Sequence, residues 1–387
     1  MSVINVPQPA FMEDEEIAIF ADAVGKFYQQ HAPEKRVLKW REDGQVDREF
    51  WRAAGEAGLL GVSVPTEYGG HGGDFRHDLV VIDQQAKHNV EGFAASLHNT
   101  VILPYLVRHG TEEQKKKYLP RLVTGDLVSA IAMTEPGVGS DLQSITTTAV
   151  KDGNGYRISG AKTYISSGQI ADFIVVVAKT NPDERAKGIS LMLLETEGAE
   201  GFQRGKKLDK IGMDAADTSE LFFDNVFVPA ENVLGGVEGR GFYQLMGELP
   251  QERLIIAVGA INGIEKALET TMEYVKSRKA FGQTIWDFQN TQFVMADLKA
   301  RSTAARVFVN DCIARHLKGE LDVATACMAK YWVTELQGEV VDKCLQFHGG
   351  AGFINDYPIA RMYRDSRVTR IFGGSNEVMK MVIARGM

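Results

Sequence analysis

Residues 132–141 read Ala132-Met133-Thr134-Glu135-Pro136-Gly137-Val138-Gly139-Ser140-Asp141, AMTEPGVGSD. The stretch offers two hydroxyls, Thr134 and Ser140, and bare backbone at Gly137 and Gly139. Its amides can face an anion or a heteroaromatic edge. Taken alone, such a turn is equally well a plain tight turn. Its place in the chain is what matters, because the texture of the sequence changes around it. No βαβ unit surrounds it, so the dinucleotide-binding sheet is excluded.

Upstream, residues 13–125 read as helices and loops. Glu13–Gln30, Phe50–Ala57, Leu79–Asn89 and Ala94–Arg108 repeat apolar residues at helical spacing, interrupted by the loop Pro-Thr-Glu-Tyr-Gly-Gly-His-Gly-Gly at 65–73. Thr111-Glu112-Glu113-Gln114 opens a further helix with capping chemistry, and Lys115-Lys116-Lys117 is most simply its solvated face. Downstream come short β-branched and aromatic runs. Ile145–Lys151 and Tyr156–Ser159 flank Asp-Gly-Asn-Gly, a hairpin signal, and Phe173–Lys179, Ile189–Leu194 and Ser219–Phe227 supply more strands. After Gly235-Gly236 helical patterns return at Gly241–Gly247, Arg253–Arg278, Gln289–Leu317, Ala324–Phe347 and Ser375–Arg385. The expected fold is α+β and mostly α. It has an N-terminal helical domain (1–125), a middle antiparallel β-domain (126–235) and a C-terminal four-helix bundle (236–387).

The bulk numbers narrow the function classes. A net charge of −8 with interleaved signs argues against a nucleic-acid partner. Cys312, Cys327 and Cys344 are sparse and odd in number, which fits a reduced compartment without a disulfide framework. The eight histidines show no metal-ligand spacing, so no metal is expected. No apolar run is long enough to span a bilayer. The opening MSVINVPQPAFMEDEE has neither a signal-peptide core nor an Arg-rich transit pattern, so the cytoplasm is the expected compartment.

Three further segments carry possible chemistry. Gln346-Phe347-His348-Gly349-Gly350-Ala351-Gly352-Phe353 follows a long helix; its glycines suit a C-cap or the close approach of a pyrophosphate. Arg278-Lys279-Ala280-Phe281-Gly282-Gln283 places a fixed charge and an aromatic at a helix end. Glu-Leu-Pro-Gln-Glu-Arg-Leu (248–254) sets two carboxylates four residues apart across a proline. Acids at a helix start complement its dipole, so either one is a decoration or a base. Pro250 is comfortable only in a first turn, which places Glu248 before the helix as a cap or surface acid and Glu252 within it.

Together these segments resemble the acyl-CoA dehydrogenase family over nearly the whole chain. The long-chain branch is the most similar, through Glu-Leu-Pro-Gln-Glu-Arg (248–253), Ala-Thr-Ala-Cys-Met-Ala-Lys-Tyr-Trp (324–332) and Gly-Gly-Ser-Asn-Glu-Val-Met-Lys (373–380). The resemblance implies an FAD enzyme that oxidises the Cα–Cβ bond of a medium- to long-chain acyl-CoA to the trans-2-enoyl thioester. A base removes the α-proton, hydride leaves to flavin N5, and electrons pass to an electron-transfer flavoprotein. Carried over by position, Ile131, Met133, Thr134, Gly139 and Ser140 line one side of FAD, and Tyr164, Ile165 and Ser166 cover the isoalloxazine. Arg278, Phe281, Gln289, Gln346, Gly349 and Gly350 would grip the pyrophosphate and adenine of a neighbouring subunit's FAD, which implies a homotetramer. Ser375 and Glu377 return to the flavin. Ser140, Tyr243, Arg253, Gly373 and Gly374 fall on the CoA and acyl side.

One departure decides the base. Many relatives carry it as the glutamate of Ile-Tyr-Glu-Gly-Thr; here the matching stretch is Ile371-Phe372-Gly373-Gly374-Ser375. In the long-chain and isovaleryl branches the base sits at the position of Glu252. The apolar run after Glu252 would desolvate its carboxylate and raise its pKa, and its backbone amide is the expected donor to the thioester carbonyl. Other readings are an isovaleryl-CoA-like dehydrogenase, an oxidase, or a non-catalytic flavin-binding protein.

Overall fold

The computed structural model describes residues 3–387. Helices α1 (Glu15–His31), α2 (Glu34–Asp43), α3 (Arg48–Glu56) and α4 (Phe75–Lys87) lead the chain. Next come a short α5 (Ala95–Leu97), a π-turn at His98–Ile102, α6 (Leu103–His109) and α7 (Glu112–Val123). Thr111 caps α7, accepting from the Gln114 amide while Gln114 reaches back to the Thr111 amide, as the sequence suggested. Two of these elements escape periodicity. Helix α2 buries only Val37 and Trp40, and the π-turn breaks the pattern expected to run straight from residue 94 to 108.

The β unit has strands β1 (Ser129–Ala132), β2 (Thr148–Asp152), β3 (Gly155–Ser166), β4 (Phe173–Lys179), β5 (Ile189–Glu195), β6 (Phe202–Lys207) and β7 (Thr218–Pro229). The order is β1-β4-β2-β3-β7-β6, with β5 also on β4. The β2–β3 turn is the predicted hairpin, with Gly153 at positive φ. The sheet is not purely antiparallel: β1 runs parallel to β4 over four pairs from Ser129↔Phe173 to Ala132↔Val176. That pairing joins residues some forty positions apart, which local pattern does not reveal. Strand β4 is buried on both faces, consistent with its unbroken apolar run. One face of the sheet packs against α6 and α7; the other forms its own core around Ile158, Val176 and Leu221.

Three long helices dominate the C-terminal part: α8 (Gly241–Ser277), α9 (Gln289–Leu317) and α10 (Val323–His348). A two-residue hairpin, β8 (Lys279–Ala280) and β9 (Gln283–Thr284), joins α8 to α9. Helix α11 (Pro358–Ser366) packs on α8 and α10, and α12 (Asn376–Arg385) lies on α10. One apolar cluster unites Ile261, Leu298, Val309, Val333 and Val340 of the bundle with Phe75 and Leu79 of α4, fixing the N-terminal helices to it. Among the described residues no helix is long and apolar enough to cross a membrane.

Candidate active site

Helix α8 corrects the reading of residues 248–254. The chain does not start a helix at Pro250; α8 runs through it from Gly241 to Ser277. A proline inside a helix forfeits one i→i−4 bond. Here tertiary contacts on both sides of the residue outweigh that loss. Glu248 is therefore not an exposed cap. It is 3% exposed, ion-paired with Arg108, and 3.0 Å from His109 Nε2. Arg108 also donates to Gln251 Oε1 at 2.7 Å, and Gln251 Nε2 donates to the Thr100 carbonyl in the π-turn at 2.7 Å. These bonds dock α8 against α6 on either side of the proline.

Glu252 lies on the same docked stretch, 9% exposed, and its Oε1 accepts from the Tyr105 hydroxyl at 2.6 Å. Burial pushes its carboxyl up to about 7; the Tyr105 hydroxyl and Arg253 oppose this, and the Glu248 charge adds to it. Arg253, about 100° further round the helix, is turned to α10, where its Nη1 donates to Cys327 Sγ at 3.2 Å. The Glu252 amide lies inside α8, where regular helix geometry directs it to the Glu248 carbonyl, and this argues against its expected role as donor to a substrate oxygen. The amides of Gly373 and Gly374 are the alternative, since among the described residues neither donates a hydrogen bond.

The Gly373 position comes to this site. A Cβ there would stand 2.3 Å from Ile256 Cδ1, and Ile256 is one turn beyond Glu252 on the same helix face. Gly373 and Gly374 have φ of 62° and 88°, conformations that favour glycine. Lys330, fully buried, pins this turn through the Gly374 carbonyl at 2.8 Å and Asn376 Oδ1 at 2.9 Å. Ser375 caps α12, and Glu377 points outward from its first turn.

The AMTEPGVGSD stretch forms an open shelf beyond β1. A Cβ at Gly137 or Gly139 would meet no atom within 4 Å, and Ser140 is exposed. Ile131 and Met133 pack against the same apolar cluster as Tyr105, the hydrogen-bond partner of Glu252. A β-bulge aims the next residues at it. Between the pairs Lys162↔Leu221 and Ile165↔Ser219 strand β3 has one residue too many, and Tyr164 there has φ of 58° and is 68% exposed. Ser166 is exposed as well, whereas the Ile165 side chain points into the core and leaves only its backbone toward the shelf.

A buried ion pair joins shelf to bulge, and sequence reasoning gave neither partner a role. Lys162 Nζ lies 3.0 Å from Glu135 Oε1 and donates to the Met133 carbonyl at 2.9 Å. Glu135 also accepts from the Thr146 and Thr147 amides, and the Thr163 amide donates to the Thr134 carbonyl at 2.9 Å. Burial alone would raise Glu135, but Lys162 and these donors hold it down to about 2. The available signal was an acid inside a glycine turn and a lysine at an inward strand position.

The remaining cofactor candidates gather elsewhere. Arg278, Phe281 and Gln289 sit at the α8–α9 connection, and Gln346, Gly349 and Gly350 at the end of α10, all exposed. The two groups meet where the Tyr274 ring stacks on His348 at 4.2 Å. From Glu252 to Arg278 is about 39 Å of helix at about 1.5 Å per residue. Phe281 and Phe353 at this end are 97% and 88% exposed. Tyr243 is exposed with Arg240 over its ring at 5.9 Å, and lines a cavity of about 540 Å³ with Arg108 and His109. It is nine residues before Glu252, so on a regular helix it faces the opposite side.

Three family models match along the chain. They are the acyl-CoA dehydrogenase N-terminal domain (residues 14–126), middle domain (130–226) and C-terminal domain (239–387). The long-chain specific mitochondrial acyl-CoA dehydrogenase of Sus scrofa is 47% identical over 95% of this chain and 85% of its own. The mitochondrial isovaleryl-CoA dehydrogenase of Pongo abelii is 37% identical over 96% and 88%. The crystal structure of the Geobacillus kaustophilus acyl-CoA dehydrogenase superposes with a TM-score of 0.94, at 44% identity, covering 96% of this chain and 98% of that one. A chain from the electron transferring flavoprotein structure of Acidaminococcus fermentans gives 0.90 at 34% identity, covering 98% and 99%. A Mycobacterium smegmatis glutaryl-CoA dehydrogenase in complex with FADH2 gives 0.89 at 25% identity, covering 100% and 97%. With helical, sheet and helical parts each matched in order, this chain belongs to the acyl-CoA dehydrogenase family.

Proposed function

We propose that the protein is an FAD-dependent dehydrogenase of medium- to long-chain acyl-CoA thioesters, with Glu252 as the base. The observation that carries this reading is the buried Glu252 carboxylate beside a Gly373 that has no side chain to offer. The flavin fits the residues present: the shelf is open at Gly137 and Gly139, and the bulge, bonded to it through the Thr163 amide, leaves Tyr164 exposed. Thr134, Ser140, Tyr164, Ser166, Ser375 and Glu377 would hold the isoalloxazine side, and Arg278, Phe281, Gln289, Gln346, Gly349 and Gly350 of a second subunit the rest. When bound, FAD supplies the acceptor for the hydride from Cβ. Glu252, raised toward neutral pH by burial, takes the α-proton in a site from which water is largely excluded. The free Gly373 amide would donate to the thioester oxygen as negative charge develops there.

Higher identity to the long-chain relatives than to the isovaleryl ones supports the chain-length reading. The isovaleryl-like alternative shares the base and stays open to the same test, flavin reduction rates across straight and branched acyl-CoAs. Fastest reduction by isovaleryl-CoA would overturn the chain-length reading. A flavin site shared with a second subunit is inferred from the about 39 Å of helix between Glu252 and Arg278. The homotetramer rests on the family resemblance, and an electron-transfer flavoprotein as acceptor draws support from the Acidaminococcus neighbour. The relatives named here are mitochondrial, which counts against the expected cytoplasmic compartment, and cell fractionation decides between the two.

A further inference from the structure

Tyr105 is fully buried on α6, three residues past the π-turn, and reaches across to α8 with its hydroxyl on Glu252 Oε1 at 2.6 Å. Among the described residues no group donates to Glu252 Oε2. The two oxygens of the carboxylate are therefore distinguishable: one is tethered, one is free. The tether itself is held rigidly. Gln251, the neighbour of Glu252, bonds the Thr100 carbonyl inside the π-turn, and Arg108 on α6 bonds both Gln251 and Glu248. Such π-turns occur often at functional sites.

We propose that Tyr105 is a positioning residue for the α-proton transfer: it fixes the Glu252 carboxylate through Oε1 and leaves Oε2 to take the proton. The proposal rests on Glu252 being the base. In the step, the α C–H bond breaks, its electron pair stays with the substrate carbon, and the proton goes to Oε2 while the Tyr105 O–H keeps donating to Oε1. That hydrogen bond favours the carboxylate over the carboxylic acid, so it opposes the burial that raises Glu252. The other charged or titratable groups around the pair are Glu248 and Arg253 on α8 and Arg108 and His109 on α6. From α9, His316 faces Arg108 and Glu248; from α10, Cys327 and Lys330 face Arg253.

The test compares Tyr105→Phe, Glu252→Gln and wild-type holoenzyme by anaerobic flavin reduction with palmitoyl-CoA, and isovaleryl-CoA as second probe, from pH 6 to 9. In Tyr105→Phe the acid limb of the reduction rate should move up by about one to two pH units, the worth of one hydrogen bond to a charged group. The rate at pH 6.5 should fall about tenfold or more, with substrate binding little changed and much of the loss recovered at pH 9. An unchanged limb in Tyr105→Phe, beside an inactive Glu252→Gln, overturns the tether and leaves the base in place. Near-normal reduction in Glu252→Gln overturns the base, and the tether with it. A uniform loss at every pH marks Tyr105 as merely structural and contradicts the proposal.

Discussion

Gly373 and Glu252 are complementary at the level of single residues. The loop at 373 adopts a positive φ, and a Cβ there would meet Ile256 Cδ1 at 2.3 Å, so any side chain at 373 displaces Ile256 on the helix face that carries Glu252. Adding Gly373→Glu to Glu252→Gln should therefore restore little flavin reduction by itself. The triple variant with Ile256→Ala should restore more, because the obstructing Cδ1 is gone; equal rates in the two variants would show that space is not what limits the exchange. The raised pKa of Glu252 also has a stability consequence. The unfolded chain releases this proton near 4.5, the folded one near 7, so the wild type is penalised increasingly as pH rises through that window and fully above it. Glu252→Gln should thus melt a few degrees higher than wild type at pH 8 and no higher at pH 4. The upper bound on the gain is about 3–4 kcal/mol, from about 1.4 kcal/mol per pKa unit over the shift from 4.5 to about 7. Thermal melts at the two pH values check it.

At the level of elements, the β3 bulge and the shelf act as one piece because Glu135 and Lys162 are buried together between them. Lys162→Met should cost about 3–5 kcal/mol, since it strands a buried carboxylate, and flavin retention on gel filtration should fall with it. Full retention would place the shelf's rigidity elsewhere. Much of this layer was legible from sequence: the α–β–α order, the Asp-Gly-Asn-Gly hairpin, the ends of β4 and α9, and the Thr111 cap all follow from local pattern. What was not legible depends on distant partners. Pro250 argued for a helix start, yet Arg108 and Tyr105 on α6 hold α8 together across it. Glu248 looked like a cap because its partners Arg108 and His109 lie about 140 residues away. Strand β6, FQRGKK, is a polar edge strand with no alternation to reveal it. The Glu252 position was legible only through the resemblance, as two acids four residues apart do not announce which one is buried.

For the whole molecule, the length of α8 between Glu252 and Arg278 governs the proposed cofactor arrangement. Arg278 lies about 39 Å along a straight helix from Glu252, and the α8–α9 and α10 ends carry exposed aromatics suited to burial by another subunit, so the proposal assigns them to a neighbour's flavin. Arg278→Ala with Phe281→Ala should leave the fold intact but lose FAD. Co-expressed with Glu252→Gln subunits, this double variant should regain measurable turnover, because a hybrid pair contains one site with both halves intact. Failure to complement in demonstrably mixed oligomers would mean that each chain builds its own flavin site.

The measurement that bears most directly on the central claim is anaerobic flavin reduction in Glu252→Gln. With FAD bound at normal stoichiometry, reduction by palmitoyl-CoA and by isovaleryl-CoA should both be slower by several orders of magnitude, as expected when an essential base is removed. Reduction within about tenfold of wild type with either substrate would contradict the assignment of Glu252 as the base.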